Sequence, residues 1–393
     1  MKHILVYVLL ILCMMVTVDC HAKIFVIRKT WDLKGSAYEL PANSTLRFKK
    51  SGKIINGELI GNNTKIIAPR KKVFENIKIA GTWNNKTVYS DWLDFSFTKG
   101  EDNYFNFKNL MSFCNASTHQ TVYIAKGVYW TSTRFQGEAL LIPSHTRLVN
   151  KGSIHEIPNS YEQCALVRIS KSENIEIDGG YYYGDVESHH GTTGEWSHGI
   201  LCEGSKNVAI KNVVCNDFWG DGIDIIDAYD EDRKPTLICY NIKVDNAICF
   251  YNRRQGISIE AVIGCSVTNS NFSYTGTKKY TRPADGIDIE AWNSVGEKLK
   301  NITIYNCTME GNKGKSISIF ANGPWLRDYE LYKNNILIEG CIMNDVFATC
   351  SYGIEYKNCK MDSRMYQYVT DLKYTNCIVN GINVTDSVTN RWK

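Results

Sequence analysis

The 393-residue chain reads as an all-β protein, a right-handed parallel β-helix (a solenoid) with a short N-terminal β region and one short entry helix. Two repeats predict this. A small residue followed by alternating apolar residues returns five times, as HGILCEG (198–204), DGIDII (221–226), QGISIE (255–260), DGIDIE (285–290) and KSISIF (315–320). Aligned on Gly199, Gly222, Gly256, Gly286 and Ser316, the copies are 23, 34, 30 and 30 residues apart. Between them runs a second phrase that begins with Asn: NVAIKNVVC (207–215), NIKVDNAIC (241–249), NITIYNCTM (301–309) and NILIEGCIM (335–343). Self-similarity at this period, with apolar residues at every second position, is the pattern of stacked β coils; helical repeats would space them by three and four.

In such a stack each strand pairs in parallel with its copy one coil later, about 4.8 Å away, so equivalent positions form columns. Ile223, Ile225, Ile257, Ile259, Ile287 and Ile289 then point into the lumen. The period of two sends Asp224, Ser258, Asp288 and Ser318 outward, together with Glu260 and Glu290. His198, Asp221, Gln255, Asp285 and Lys315 sit at the strand entries, where a turn can aim them outward as well.

From the start of the chain, Lys2 and His3 precede an apolar run from Ile4 to Val18 that ends in Cys20-His21-Ala22. This is the pattern of a secretory signal cleaved after Ala22, which makes the protein exported, periplasmic or secreted. Lipidation at Cys20 is the weaker alternative, because Asp19 precedes it. The run falls short of the ~20 residues of a comfortable membrane span, and no later stretch is apolar enough to cross a bilayer. The chain therefore divides into a signal peptide (1–22), an N-terminal β region or cap (23–100) and the helix domain (101–393). Strand-like pieces at 51–69 and 74–83 belong to the cap, which would cover an open sheet edge. Residues 103–115 form the one plausible helix, with Phe105, Leu110 and Phe113 on roughly one side, and TVYIAKGVYW (121–130) is a strand, a Gly turn and a second strand.

The formal net charge of +4 is too mild to argue for nucleic acid. Twelve of the fourteen cysteines follow the signal, and export would favour disulfides. Yet Cys215, Cys249, Cys307, Cys341, Cys359 and Cys377 all fall late in the Asn phrase, so they read as a lumen column of reduced, small apolar side chains. No CxxC spacing suggests structural zinc.

GEWSHGI (194–200), WGDGIDI (219–225), NRRQGISIE (252–260) and ADGIDIE (284–290) resemble signature phrases of the pectate-lyase superfamily, in its exported bacterial and phage-tail right-handed β-helix members. DNYFNF followed by VYIAKGVY resembles that superfamily's entry helix and first strand, so the resemblance covers roughly 102–344. Residues 25–95 are similar to N-terminal regions of gut-bacterial members. The resemblance implies the fold and a polysaccharide partner without one reaction, since lyases, hydrolases, epimerases and phage depolymerases share it. Laid over polygalacturonases, the first family Asp falls on His198, the Asp pair on Gly220 and Asp221, and the family His on Gln255. Only Asp221 is kept, so the resemblance implies where the cleft lies rather than which bond is cut.

From chemistry alone, a glycosidase needs two carboxyls about 5 Å apart for retention or ~6.5–9.5 Å for inversion. Asp224 and Asp288, two coils apart, would be separated by about 9.6 Å, and Asp221 and Asp285 repeat the relation. These four and His198 are the candidate catalytic groups. Crowding by Glu260 and Glu290 should raise some of their pKa values, as an acid catalyst requires. Arg253 and Arg254 could grip a uronate or sulfate, and Glu260, Glu290 and Trp196 complete the substrate-binding set. His198 could shuttle a proton in a lyase or serve as a hydrogen-bonded structural residue. Asp224 and Asp288 could hold a calcium ion, although no cofactor is required. The expected function is cleavage of an acidic polysaccharide, with hydrolysis slightly favoured, β-elimination by a lyase as the alternative, and a non-catalytic carbohydrate-binding or adhesive solenoid third. The oligomeric state is not legible.

Overall fold

The computed structural model describes residues 23–230, 234–291, 298–322 and 332–390; the expected signal peptide lies outside the described residues. Contacts divide the chain into a first unit ending at Asn85 and a second beginning at Lys86. In the first unit the strands Ile24–Ile27, Thr45–Phe48 and the end of Lys53–Ile67 pair in parallel, Ile24 to Thr45 and Thr45 to Lys65. Thr30–Asp32, the start of Lys53–Ile67 and Phe74–Trp83 do the same, Thr30 to Lys53 and Ile54 to Phe74. This unit is therefore itself a short stack of coils around Leu46, Ile54 and Leu59, all fully buried.

In the second unit the entry helix is Tyr104–Ser112. Its buried face is Phe107, Leu110 and Met111, at the spacing of three and four that places side chains on one side. Phe105, expected on that face, is exposed, because five residues carry it well round the helix from Leu110. Among the described residues the rest is a 22-stranded sheet wound as a right-handed parallel β-helix, a four-stranded sheet on another side of the coils, and a small antiparallel pair, Ala228–Tyr229 with Pro235–Leu237. Ile200, Ile223, Ile257, Ile287 and Ile317 pair in succession, as do Ile225, Ile259, Ile289 and Ile319. All are fully buried, which is the stacked lumen expected from the alternation. The last parallel strand, Ser363–Val379, is covered by the antiparallel strand Ile382–Asn390.

The Asn phrase owes its form to corners. Asn174, Asn207, Asn241, Gly264, Asn301 and Asn335 occupy one position of successive coils, and all have φ between 52° and 78°. Five residues later Gly179, Asn212, Asn246, Asn269, Asn306 and Gly340 form a second such corner, again left-handed. Asn tolerates this conformation because its short side chain bonds locally. Here the amides also bond along the axis, Asn241 Nδ2 to Asn207 Oδ1 at 2.9 Å and Asn207 Nδ2 to Asn174 Oδ1 at 3.1 Å.

The twelve described cysteines are all free thiols, eleven of them buried. They do not form one column. Cys307, Cys341, Cys359 and Cys377 stack at the position directly after the second corner, whereas Cys215 and Cys249 stack two residues further on, beneath Tyr182 and above Phe272.

Candidate active site

Register places Asp224, Ser258, Asp288 and Ser318 in one column, and backbone bonds from Gly199, Gly222 and Gly256 to Asp221, Gln255 and Asp285 place those three in the next. The columns are as expected; their solvation is not. Asp221, Asp224, Asp285 and Asp288 are at most 2% exposed, and Glu260 is 8% exposed. Long side chains from neighbouring positions fold across them. Arg254 Nη1 donates to Asp221 Oδ2 at 2.9 Å, Ser258 Oγ donates to the same oxygen at 2.9 Å, and Gln255 Nε2 donates to Asp288 Oδ2 at 2.8 Å. One oxygen of each of the four aspartates is buried without a hydrogen-bond partner among the described residues.

These surroundings set the protonation states. Burial lifts Asp224 well above the usual carboxylate range, and the neighbouring Glu260 and Asp221 add to it. Asp288 is raised in the same way, by burial and then by Glu290 and Asp285. Glu260 is pushed up to about 8 by burial, with Arg254 opposing. Burial also raises Asp221, but the Arg254 charge and the bonds from Ser258 and Arg254 oppose the rise. Glu290, half-buried, is raised by burial.

His198 lies between the two acids of its neighbouring coil. Its Nδ1 accepts the backbone N–H of Asp221 at 3.2 Å, which leaves the proton on Nε2, 3.5 Å from Asp224 Oδ2. Burial and the nearby Arg254 charge hold its pKa down to about 3, so it is a neutral imidazole. The potential ligand atoms of His198, Asp221 and Asp224 lie within 4.8 Å of one another. The pair expected to share a calcium ion, Asp224 and Asp288, is not brought together in this way among the described residues, because a full coil bearing Ser258 separates them. The hard, oxygen-rich shell that calcium prefers is further opposed by donors, since Arg254 and the Nε2–H of His198 already face the carboxylates.

The two arginines part company. Arg253 turns away from the columns, donating to the carbonyls of Gly194 (2.7 Å) and Trp219 (3.2 Å) with its guanidinium 3.9 Å over the Trp219 ring. Arg254 is an internal counter-ion, bonded to Asp221 and 3.5 Å from Glu195 Oε2. Both guanidiniums, expected to grip an acidic substrate, thus already spend Nη1 on neighbours within the protein, while Arg254 Nε is left without a hydrogen bond among the described residues. Trp196 is exposed at the start of the strand Trp196–Glu203. Ser258 and Gln255 emerge as working members of the site through their hydrogen bonds. Glu195 and the Lys298–Asp227 pair (2.6 Å) lie outside the repeated phrases and carried no signal there.

Fold and site together define a parallel β-helix with a carboxyl-rich, one-arginine face. The comparisons agree on the fold. No family model matches the chain. The Bacillus subtilis protein YclG is 29% identical over 254 residues, 60% of this chain and 41% of its own length; the SPbeta prophage-derived YorA of the same organism is 28% identical over 202 residues, 48% of this chain and 34% of its own. The match thus spans less than half of either relative. Among solved structures, the A-modules of the Azotobacter vinelandii mannuronan C-5 epimerases AlgE4 and AlgE6 superpose with TM-scores of 0.58 and 0.56 at 14% identity, over 75% of this chain and 78% and 77% of theirs.

Proposed function

We propose that the chain is a glycoside hydrolase that cleaves a polysaccharide at an uncharged sugar. The observation that carries this reading is the Asp221–Asp224 pair, two carboxyls within 4.8 Å in unequal surroundings: Asp224 is lifted well above the usual carboxylate range, whereas at Asp221 the Arg254 charge and the bonds from Ser258 and Arg254 oppose the rise. Finding titratable neighbours pushed apart is how acid and base roles are assigned. Asp224 is the proton donor to the leaving oxygen. Asp221, its charge balanced by Arg254, is the carboxylate that meets the developing positive charge at the anomeric carbon, and the short separation fits retention of configuration. His198 is a positioning residue, holding the Asp221 backbone through Nδ1 and facing Asp224 with Nε2–H. The pair is covered in the arrangement described, so the sugar reaches it by displacing side chains such as Arg254 and the more exposed Glu195 beside it.

Elimination and epimerisation are less well supported. Both begin by removing the proton beside a uronate carboxylate, and that carboxylate needs a cation. Among the described residues around the site, Arg254 is bound to Asp221, Lys298 to Asp227 and Lys315 to Asp345. A uronate would therefore meet a ring of carboxyls whose nearest cations are already paired with acids, Arg253 on the Gly194 and Trp219 carbonyls being the exception, which weighs against an acidic polymer. The epimerases named above share the fold at an identity too low to carry their chemistry. A purely adhesive solenoid leaves the cost of several buried, half-bonded carboxyls unexplained.

The test is to incubate the protein with neutral glucans, mannans, xylans and galactans and with polygalacturonate and alginate, with and without a chelator. New saturated reducing ends from a neutral polymer, insensitive to chelator, are expected. Growth of absorbance near 235 nm on a polyuronate would overturn the proposal.

A further inference from the structure

Four successive coils have a third left-handed corner, and two of its residues are unusual. Val214, Ile248, Asn271 and Thr308 pair in succession, and three residues beyond each come Asp217, Tyr251, Tyr274 and Gly311, with φ of 65°, 61°, 61° and 66°. Asp and Gly adopt this conformation readily, whereas a bulky side chain there is a steric outlier. At the first two corners the chain meets the same demand chiefly with Asn and Gly. Folding alone gives no reason to place tyrosine at the third, and such outliers point toward function.

The two rings stack at 5.6 Å with 20° between their planes, and Phe250 meets Tyr274 edge-on at 5.6 Å. Tyr274 is 43% exposed, and Tyr280, on the following loop, 52%. Two glycines make room for them: a Cβ at Gly311 would lie 2.8 Å from the Tyr274 ring, and one at Gly276 would lie 3.1 Å from that of Tyr280. Lys278 sits 5.0 Å over the Tyr251 ring, with its ammonium paired to Asp217 (2.7 Å) and Glu187 (3.2 Å). No hydrogen bond from the three tyrosine hydroxyls is found among the described residues. Tyr251 lies three residues before Arg254, and Thr281, next to Tyr280, donates its backbone N–H to the Arg253 carbonyl at 3.3 Å, so the ridge adjoins the segment whose Arg254 pairs with Asp221.

We infer that the ridge Tyr251–Tyr274–Tyr280 is a glycan-binding subsite that holds an uncharged polysaccharide beside the Asp221–Asp224 pair. The choice of a polysaccharide as occupant rests on the proposed hydrolase reading. Ring edges supply apolar surface for sugar C–H groups, and the free hydroxyls supply donors and acceptors for sugar hydroxyls.

The test uses Tyr251→Asn, Tyr274→Asn and the double variant, since Asn keeps the left-handed corner. Affinity electrophoresis in gels containing laminarin, mannan, xylan or polygalacturonate measures binding, and thermal melts measure the fold. At least one neutral polymer should retard the wild type, and the double variant should lose tenfold or more in affinity with an unchanged or higher Tm. Equal binding by the double variant, a Tm that falls in step with affinity, or a wild type retarded by none of the polymers would overturn the subsite. A wild type that binds but releases no reducing ends would instead remove the hydrolase reading and leave the subsite in place.

Discussion

Replacing Glu260 by Gln removes one buried carboxyl while nearly keeping its shape. Burial is the main reason this group titrates at about 8 instead of 4.5; Arg254 opposes the rise, and Asp221, Glu290 and Asp227 add to it. The folded pKa is raised, so the folded state holds the proton more tightly than the unfolded chain does. That contribution to stability is complete below about 4.5 and is lost as pH climbs through about 8. At about 1.4 kcal/mol per tenfold change in acidity, the interval corresponds to on the order of 5 kcal/mol. For a unit that runs from Lys86 to Lys393 that is about 8 °C in Tm. Thermal melts of wild type and Glu260→Gln from pH 4 to 9 should coincide at the acid end. They should separate between pH 5 and 8 with the variant becoming the more stable, and run parallel above that. Part of the gap will come from Asp224, which loses a repelling neighbour. Two melting curves that stay parallel throughout, or a wild type that gains on the variant as pH rises, would refute the account of a cluster kept protonated by burial.

Asp224→Asn and Asp221→Asn should each lower kcat on the cleaved polymer by 10² to 10⁴-fold while the melting transition is retained; wild-type turnover in both would move the chemistry elsewhere. Arg254→Ala should act first on stability, by about 3–5 kcal/mol, because it strands Asp221 as a buried unpaired charge. A variant with unchanged Tm and only a raised KM would restore Arg254 as a substrate contact. Thiol titration of a protein comprising residues 23–393 should find twelve reactive groups in denaturant and almost none in the native state, whereas a count of four or fewer would mean disulfides. Asn207→Ala should cost about 1–2 kcal/mol by urea unfolding, through the strained corner and two lost ladder bonds, and Asn207→Gly should cost less.

The lumen was legible because alternation leaves the isoleucines nowhere else to point. The cysteine columns were legible too, had the offset from Asn been counted: Cys307 directly follows its Asn, whereas Cys249 stands three residues after Asn246. Adjacent Arg253 and Arg254 could not both face one column in an extended chain, and the structure sends them to different partners. The cover over the aspartates was not legible. It depends on how far Arg254 and Gln255 reach across to other coils, and on Glu195, which belongs to no repeat. Tyr251 and Tyr274 were passed over because a corner read from Asn and Gly alone does not register a tyrosine in the same conformation.

The constant five-residue interval between the two Asn corners lets this molecule change length in whole units. From Gly179 to Asn376 the second corner always follows the first at that interval, whether the rest of the coil is long or as short as the 18 residues between Asn335 and Gly353. Excising residues 335–352 would bring Gly353 to the corner that Asn335 held, beneath Asn301, and return every later column to register with the rod shortened by one rung of about 4.8 Å. Duplicating the same segment would lengthen it by one. Insertions outside the five-residue side leave the ladder undisturbed, so the loops between corners can be rebuilt on a scaffold whose ruler stays the same.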